Sequence, residues 1–217
     1  MDLYHFPVSP YSHKVRLCLI EKDISHNAIP VIFFDPEQGR RFKEIHPIGK
    51  LPLLVNNDDK IPESSIIVEY LDMHFGGHRF IPEDPKASLE VRLKDRWVDQ
   101  YLSDAAITVF FQMMKPEAQR DQVRVAKCQH FLRSSYDYVE NALQGKSEQQ
   151  FYFYGDDWTL ADIALLPALR IAKNVMNFEN HKLIDKYFAM HSERDAFKLI
   201  TPEADNALQE LLAFLSK

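Results

Sequence analysis

The chain holds two cysteines in 217 residues, Cys18 and Cys128, far apart and without a CxxC neighbour. That excludes a disulfide scaffold and a paired redox motif. Each cysteine sits in a helical pattern, so two buried free thiols in a reducing cytoplasm are expected. A basic excess is missing too: 26 Lys and Arg stand against 32 Asp and Glu, a net charge of −6. Nucleic-acid-binding proteins usually carry a basic stripe, so no nucleic-acid partner is expected. No run approaches the roughly 18 apolar residues of a membrane span. The opening MDLYHFPVSP lacks the basic region and long apolar core of a signal peptide. There are no internal repeats and no low-complexity tracts. What remains is an ordinary globular composition, 46% hydrophobic, with length for one large or two small domains. Such a chain can bury enough core to fold without disulfides or metal.

Proline use divides the sequence. Nine of the 12 prolines lie in residues 1–85 and three follow. The first part is punctuated by loops and the rest is helical. Asp2–Phe6 reads as a strand, Pro7–Pro10 as a turn, and the residues from Ser12 as a helix. Asn27–Phe34 reads as a second strand and Glu37–Ile45 as a short helix. Beyond the linker, Pro85 occupies a first-turn position. Its helix is expected to run to Met114, with Leu89, Leu93, Trp97 and Tyr101 as the buried stripe. Further helices are expected at Asp121–Leu143, Thr159–Ala172, His181–Met190 and Asp205–Ser216. Thr159-Leu160-Ala161-Asp162 is a capping box, a structural device. His74 and His78 have a possible metal spacing, but Gly76-Gly77 breaks the helix that would put both on one face.

The stretch His46–Leu71 holds most of the local information. His46-Pro47-Ile48-Gly49-Lys50-Leu51-Pro52 has the punctuation of a loop. Leu53-Leu54-Val55 fits a buried strand, and Asn56–Asp59 fits a hairpin turn to Lys60-Ile61. Glu63-Ser64 opens a helix with Ile66, Ile67, Tyr70 and Leu71 on its apolar face. One reading is plain: Pro52 ends a loop before a strand. In the other, a cis Leu51–Pro52 bond turns the Leu51 N–H and C=O outward, where an extended peptide can pair with them. The free N–H groups at Ser64 then take its carboxylate.

Ser9, followed by Pro10, has the arrangement of a helix N-cap. The same geometry suits chemistry. A hydroxyl at a positive helix end can donate a hydrogen bond to a thiolate. A thiol of pKa about 8.5 is only a few per cent ionised at neutral pH. Lowering that pKa by two units needs about 2.7 kcal/mol of preference for the anion, which one charge-assisted hydrogen bond and a helix terminus can supply.

Three sets of motifs together resemble the glutathione S-transferase family. They are Pro47-x-Gly49-Lys50-Leu51-Pro52, then Glu63-Ser64-x-x-Ile67-x-x-Tyr70-Leu71, and in the second half Asp84-Pro85-x-Ala87 with Trp158–Asp162. The resemblance covers nearly the whole chain. It implies a thioredoxin-like βαβαββα domain over 1–75 with a cis proline at Pro52, a linker over 76–84, and an all-helical domain over 85–217. Ser9-Pro10-Tyr11-Ser12-x-x-Val15-Arg16 is similar to the serine-type first loop of the family. That carries the catalytic role to Ser9, with Ser12 as the alternative. Glu63 and Ser64 would hold the γ-glutamyl end of glutathione, and Leu51 would pair with its cysteinyl unit. Lys50, Arg40 or Gln38 would meet the glycyl carboxylate, although Lys50 and Arg40 also read as solvated surface charges. Tyr11, Phe110, Phe111 and Met114 would line the apolar site for the second substrate; the same Phe and Met cluster also reads as core.

The implied activity is attack of the glutathione thiolate on an apolar electrophile by a cytosolic homodimer. Glutathione is then a co-substrate, and no metal or redox cofactor is required. The chain lacks the Ser-Ser-Cys loop of the zeta-type isomerases, and no cysteine stands at the first loop. The motifs around Tyr11–Arg16 and Glu63–Asp72 are also similar to a non-catalytic branch of the same fold, the stringent starvation protein A adaptors, which bind RNA polymerase. Those lack serine at the Ser9 position and carry Pro-His-His where this chain has Gly76-Gly77-His78.

Overall fold

The computed structural model describes residues 1–32 and 34–215. These divide into two compact units, residues 1–80 with 196–215, and residues 81–195.

The first unit is built on a four-stranded sheet: β1 (Asp2–His5), β2 (Asn27–Pro30), β3 (Leu53–Asn56) and β4 (Asp59–Pro62), in the order β2-β1-β3-β4. β1 runs parallel to β2 and antiparallel to β3, which is antiparallel to β4. Three helices follow the strands: α1 (Pro10–Glu21), α2 (Pro36–Ile45) and α3 (Ser64–His74). The element order is the thioredoxin-like one. Leu3, Leu53 and Leu54 of the sheet are buried, as are Val15, Leu17, Cys18 and Leu19 of α1 and Ile67, Val68 and Leu71 of α3. Each such aliphatic side chain contributes roughly 1.5–3 kcal/mol. Strand β2 ends at Pro30, short of the expected Phe34, and Phe33 lies outside the described residues.

Two buried lysines, one ion-paired and one hydrogen-bonded, were not visible as such in the sequence. Lys22 Nζ donates to Asp72 Oδ1 at 3.1 Å and to the His78 carbonyl at 2.7 Å. Phe80 N donates to the other Asp72 oxygen at 2.9 Å. This network pins the segment after α3 back onto α1. Lys14, 1% exposed, donates to Ser65 Oγ at 3.3 Å and ties α1 to α3.

The second unit is helical: α4 (Pro85–Trp97), a π-helical turn (Val98–Ser103), α5 (Asp104–Met113), α6 (Gln122–Leu143), α7 (Leu160–Lys173) and α8 (Lys182–Ser192). The expected long helix from Pro85 thus continues through α5, but its inward face is not the expected one. Val91, Val98 and Leu102 are fully buried, while Leu89 is 67% and Leu93 54% exposed. The buried positions follow the spacing i, i+7, i+11 through Asp95, the fit for a 3.6-residue turn. The four-residue repeat of Leu89, Leu93, Trp97 and Tyr101 drifts around the helix. Helix α7 is buried along nearly its whole length. Asp162, with no exposure, accepts from Thr159 N, Thr159 Oγ1, Phe153 N and Tyr187 Oη, so the capping box is present and structural.

The last helix, α9 (Asp195–Leu215), starts ten residues before the expected Asp205; the expected end at Ser216 lies outside the described residues. Pro202 sits inside it, removing one helical donor. The Thr201 hydroxyl donates to the Phe197 carbonyl at 2.7 Å in this turn. From Ala196 onward this helix belongs with the first unit rather than with the helices of 85–195. Arg16 Nη1 meets Glu203 Oε2 at 2.5 Å, and Phe34 stacks on Phe214 at 5.0 Å.

Candidate active site

The sheet register brings the expected residues of the first unit to one edge. Tyr4 pairs with Leu53, and Leu53 pairs with Pro62. The C-terminal end of β1, the N-terminal end of β3 and the C-terminal end of β4 therefore leave the sheet side by side. The loop to Ser9, the loop through Leu51 and Pro52, and the Glu63–Ser64 helix start all project from that edge.

Ser9 is the N-cap of α1. A turn closes with Ser9 N donating to the Phe6 carbonyl at 3.0 Å, and Pro10 follows inside the first helical turn. Ser9 Oγ accepts from Ser12 N at 3.3 Å. A hydroxyl has one proton to donate as well as two lone pairs, so Ser9 can cap the helix and still donate outward. The first turn of α1 contains no acidic residue to cancel its positive end. Ser12 is fully buried, and its Oγ accepts from Phe6 N at 3.1 Å. His13 is buried behind the loop, its Nε2 donating to the Pro7 carbonyl. Burial holds the Cys18 thiol far above the ordinary thiol range, so that group is inert.

The Leu51–Pro52 peptide is cis. Leu51 packs on the small core of Val31, Phe42 and Leu53, which anchors the loop from below. Gly49, at φ +69°, lies under Lys43, whose Cε would be 3.0 Å from an added Cβ. Glu63 also has a positive φ, 69°, a conformation that non-glycine residues rarely adopt and that costs on the order of 1–3 kcal/mol. Ser64 then begins α3 and is buried, and no side chain caps the helix. A helix start built on a strained residue and left without a capping side chain can receive a ligand carboxylate.

Among the three cation or amide candidates for a second carboxylate, two are engaged. Arg40 is bridged to Glu37 and Glu44, and Gln38 is bonded to Asp35 and to Ile32 N. Lys50 is exposed and makes no ion pair among the described residues. Of the apolar candidates, Tyr11 is half-buried in the first turn of α1. In the second unit Phe110 is 5% exposed and meets Phe111 edge-to-face at 5.6 Å, while Phe111 and Met114 are half-buried.

Sequence reasoning missed a polar cluster behind the Ser9 loop. His5, fully buried at the end of β1, lies 3.8 Å from Glu203 of α9, which pairs with Arg16. Burial, then the charges of Arg16 and His26, push the His5 imidazole down to about 3. The only sequence signal was a histidine inside an apolar strand.

Residues 3–79 match the family model for the glutathione S-transferase N-terminal domain, and residues 102–195 the model for the C-terminal domain. The chain is 28% identical to a stringent starvation protein A homolog of Coxiella burnetii, over 97% of this chain and 96% of that protein. It is 25% identical to glutathione S-transferase Z2 of Arabidopsis thaliana, over 94% of this chain and 91% of that one. A crystal structure of a glutathione S-transferase from Methylobacillus flagellatus, solved with glutathione bound, superposes with a TM-score of 0.82 at 25% identity, covering 92% of this chain and 98% of that one.

Proposed function

The chain belongs to the glutathione S-transferase family, and from that premise we propose that it binds glutathione and ionises its thiol for attack on an apolar electrophile. The observation that carries this reading is the Tyr4–Leu53–Pro62 register, from which Ser9, the cis Leu51–Pro52 loop and Glu63–Ser64 leave one sheet edge.

In this reading the Ser9 hydroxyl donates to the thiolate while the α1 N-terminus adds a favourable potential. Leu51 pairs its main chain with the cysteinyl unit. Ser64 and the α3 N-terminus hold the γ-glutamyl carboxylate, with Glu63 beside its amine. Lys50 meets the glycyl carboxylate. Tyr11, half-buried in the first turn of α1, offers the electrophile an apolar face in the first unit. The thiolate sulfur bonds to an electrophilic carbon, and the displaced electron pair leaves with a leaving group or rests on a conjugated acceptor that takes up a proton. The functional unit is a homodimer; the apolar side chains left exposed on α4, Leu89 and Leu93, and on α3, Ile66 and Met73, support this.

The likeness to the stringent starvation protein A homolog favours one other reading, an adaptor that binds RNA polymerase and conjugates nothing. Retention on immobilised glutathione, followed by turnover with a panel of apolar electrophiles, separates the two. Retention with turnover is expected. Protein that flows through the resin and turns over no electrophile would leave the adaptor.

A further inference from the structure

Outside the sheet-edge site, the second unit carries an exposed tip where α5 turns back into α6. The turn from Lys115 to Gln119 is exposed throughout, and apolar side chains flank it. Met113, the last residue of α5, is 42% exposed, and Val123, in the first turn of α6, is 83% exposed. Cations surround them. Lys115, Arg124 and Lys127 are exposed and make no ion pair among the described residues, and Arg120 is half-buried. Val123 and Lys127 stand four apart, on one face of α6. The acids of the tip are Glu117 and Asp121, and Asp121 is engaged as the cap of α6. From Gln122 to Tyr136 there is no acid at all. Apolar and cationic side chains gathered on one short turn differ from apolar residues scattered singly over a surface.

The backbone of this tip is bonded within itself. Gln119 N donates to the Pro116 carbonyl at 2.8 Å, and Arg120 N to the Glu117 carbonyl at 3.1 Å. The Arg120 guanidinium donates to the carbonyls of Met113 and Lys115, each at 3.0 Å, and so satisfies part of the open C-terminal end of α5. Gln112 Oε1 accepts from Asp121 N at 2.9 Å and ties the two helix ends together. A segment that leaves water for a lipid boundary loses solvent as a hydrogen-bond partner, so it has to satisfy its polar backbone internally. This turn largely does, and it presents its apolar and cationic side chains in one fixed arrangement.

We propose that the α5–α6 tip is a docking surface for an anionic lipid bilayer. Met113 and Val123 enter the boundary between headgroups and acyl chains. The long stems of Lys115, Arg124 and Lys127 lie along that boundary and keep their charges on lipid phosphates. Among the described residues no helix is long and apolar enough to cross a membrane, so the contact is interfacial. The net charge of −6 acts against an anionic surface, but screening over about 8–10 Å leaves the cations of the tip to decide the contact. The rival occupant is an acidic peptide. An exposed, projecting turn suits a planar surface better than a single strand, which needs a groove. This inference does not rest on the glutathione reading.

The test sediments the full chain with sucrose-loaded vesicles, made either of phosphatidylcholine alone or of equal parts phosphatidylcholine and phosphatidylglycerol. Binding is expected to the second kind only, and it should weaken as salt is raised. Lys127→Glu should reduce it about tenfold or more. Met113→Ser/Val123→Ser leaves the charge unchanged and should reduce it several-fold. Lys182→Glu changes the net charge as much as Lys127→Glu does, but next to Leu183, which bonds Glu140 at the other end of α6; it should bind as wild type. Thermal melts check that each variant is folded, as expected for exposed positions. The proposal is overturned by no binding to the anionic vesicles, by equal losses in Lys127→Glu and Lys182→Glu, by full binding of the double serine variant, or by binding to poly-glutamate in place of vesicles.

Discussion

The hydroxyls of Ser9 and Ser12 lie three residues apart and do different work: Ser9 Oγ accepts from Ser12 N, while Ser12 Oγ turns inward and accepts from Phe6 N. Ser12 is fully buried and Ser9 half-buried. The choice between the two serines therefore becomes a choice between a hydroxyl that can reach a ligand and one that holds the loop. Ser9→Ala removes a charge-assisted hydrogen bond worth about 1.5–3 kcal/mol, which corresponds to one or two pKa units on a bound thiol. Turnover at neutral pH should drop about tenfold or more, with a smaller deficit at high pH, where the thiol ionises unaided. Thiolate absorbance of bound glutathione, followed against pH, reads the shift directly. Ser12→Ala should instead lower stability by removing the buried hydroxyl that accepts from Phe6 N, and move the thiolate titration less. The opposite pattern would reassign the catalytic serine.

Glutathione affinity should depend on the start of α3. Ser64→Ala is expected to cost on the order of 1–3 kcal/mol of binding by leaving a ligand carboxylate short of a partner. Glu63→Gly tests a separate point. Glycine relieves the strain at φ 69° but removes the carboxylate, so the protein should hold or gain stability while losing affinity. Titration calorimetry on both variants, with thermal melts alongside, checks this. Unchanged affinity in Ser64→Ala removes the assignment.

Much of the fold was legible because the signals were local. Proline and glycine marked the loop from His46 to Pro52, and Ser9-Pro10 announced a cap that is present. The gathering of Ser9, Leu51 and Ser64 at one edge was not legible from periodicity, because it depends on strand register; the resemblance supplied it. Periodicity misled on α4, which has apolar residues on two faces. The π-helical turn at Val98–Ser103 adds a residue per turn and rotates the face that continues into α5. Cys128 shows a milder form of the same difficulty: it was expected buried and is half-buried on α6. The burial of Lys14, Lys22 and Asp72 was not legible, since burial of a charge shows only when its partner from another element is in place. Helix α9 looked shorter because Pro202 resembles a stop.

The exposed leucines of α4 make the proposed homodimer testable. Leu89 and Leu93 bury nothing in the chain by itself to speak of, at 67% and 54% exposed. Replacing both with glutamate should cost little folding stability but place charge in a subunit contact. Wild-type protein at micromolar concentration should scatter as about twice the 25.4 kDa chain mass, and Leu89→Glu/Leu93→Glu as one chain. A wild-type mass near 25.4 kDa, or a double variant that stays dimeric with an unaltered dissociation constant, would refute this contact.

The His5 cluster predicts how stability follows pH. In the folded chain, burial and then Arg16 and His26 hold the imidazole neutral down to about pH 3, whereas an unfolded chain protonates it near 6.5. Between those values the unfolded state binds the extra proton, so stability is complete above about pH 6.5 and falls as the solution is acidified toward 3. The slope from this one group approaches about 1.4 kcal/mol per pH unit. His5→Leu keeps an apolar side chain of similar size in β1 and removes the proton site. Other groups titrate in both proteins, so the readout is a difference. Between pH 7 and pH 5 the wild type should lose about 2 kcal/mol more urea-unfolding free energy than His5→Leu. Glu203 faces the same imidazole at 3.8 Å and favours its charged form. Glu203→Gln should therefore lower the folded-state value further and extend the acid loss below about pH 3, leaving the loss between pH 7 and pH 5 unchanged. If His5→Leu and the wild type lose stability in parallel, His5 gains its proton equally in both states, and the burial argument fails at this position.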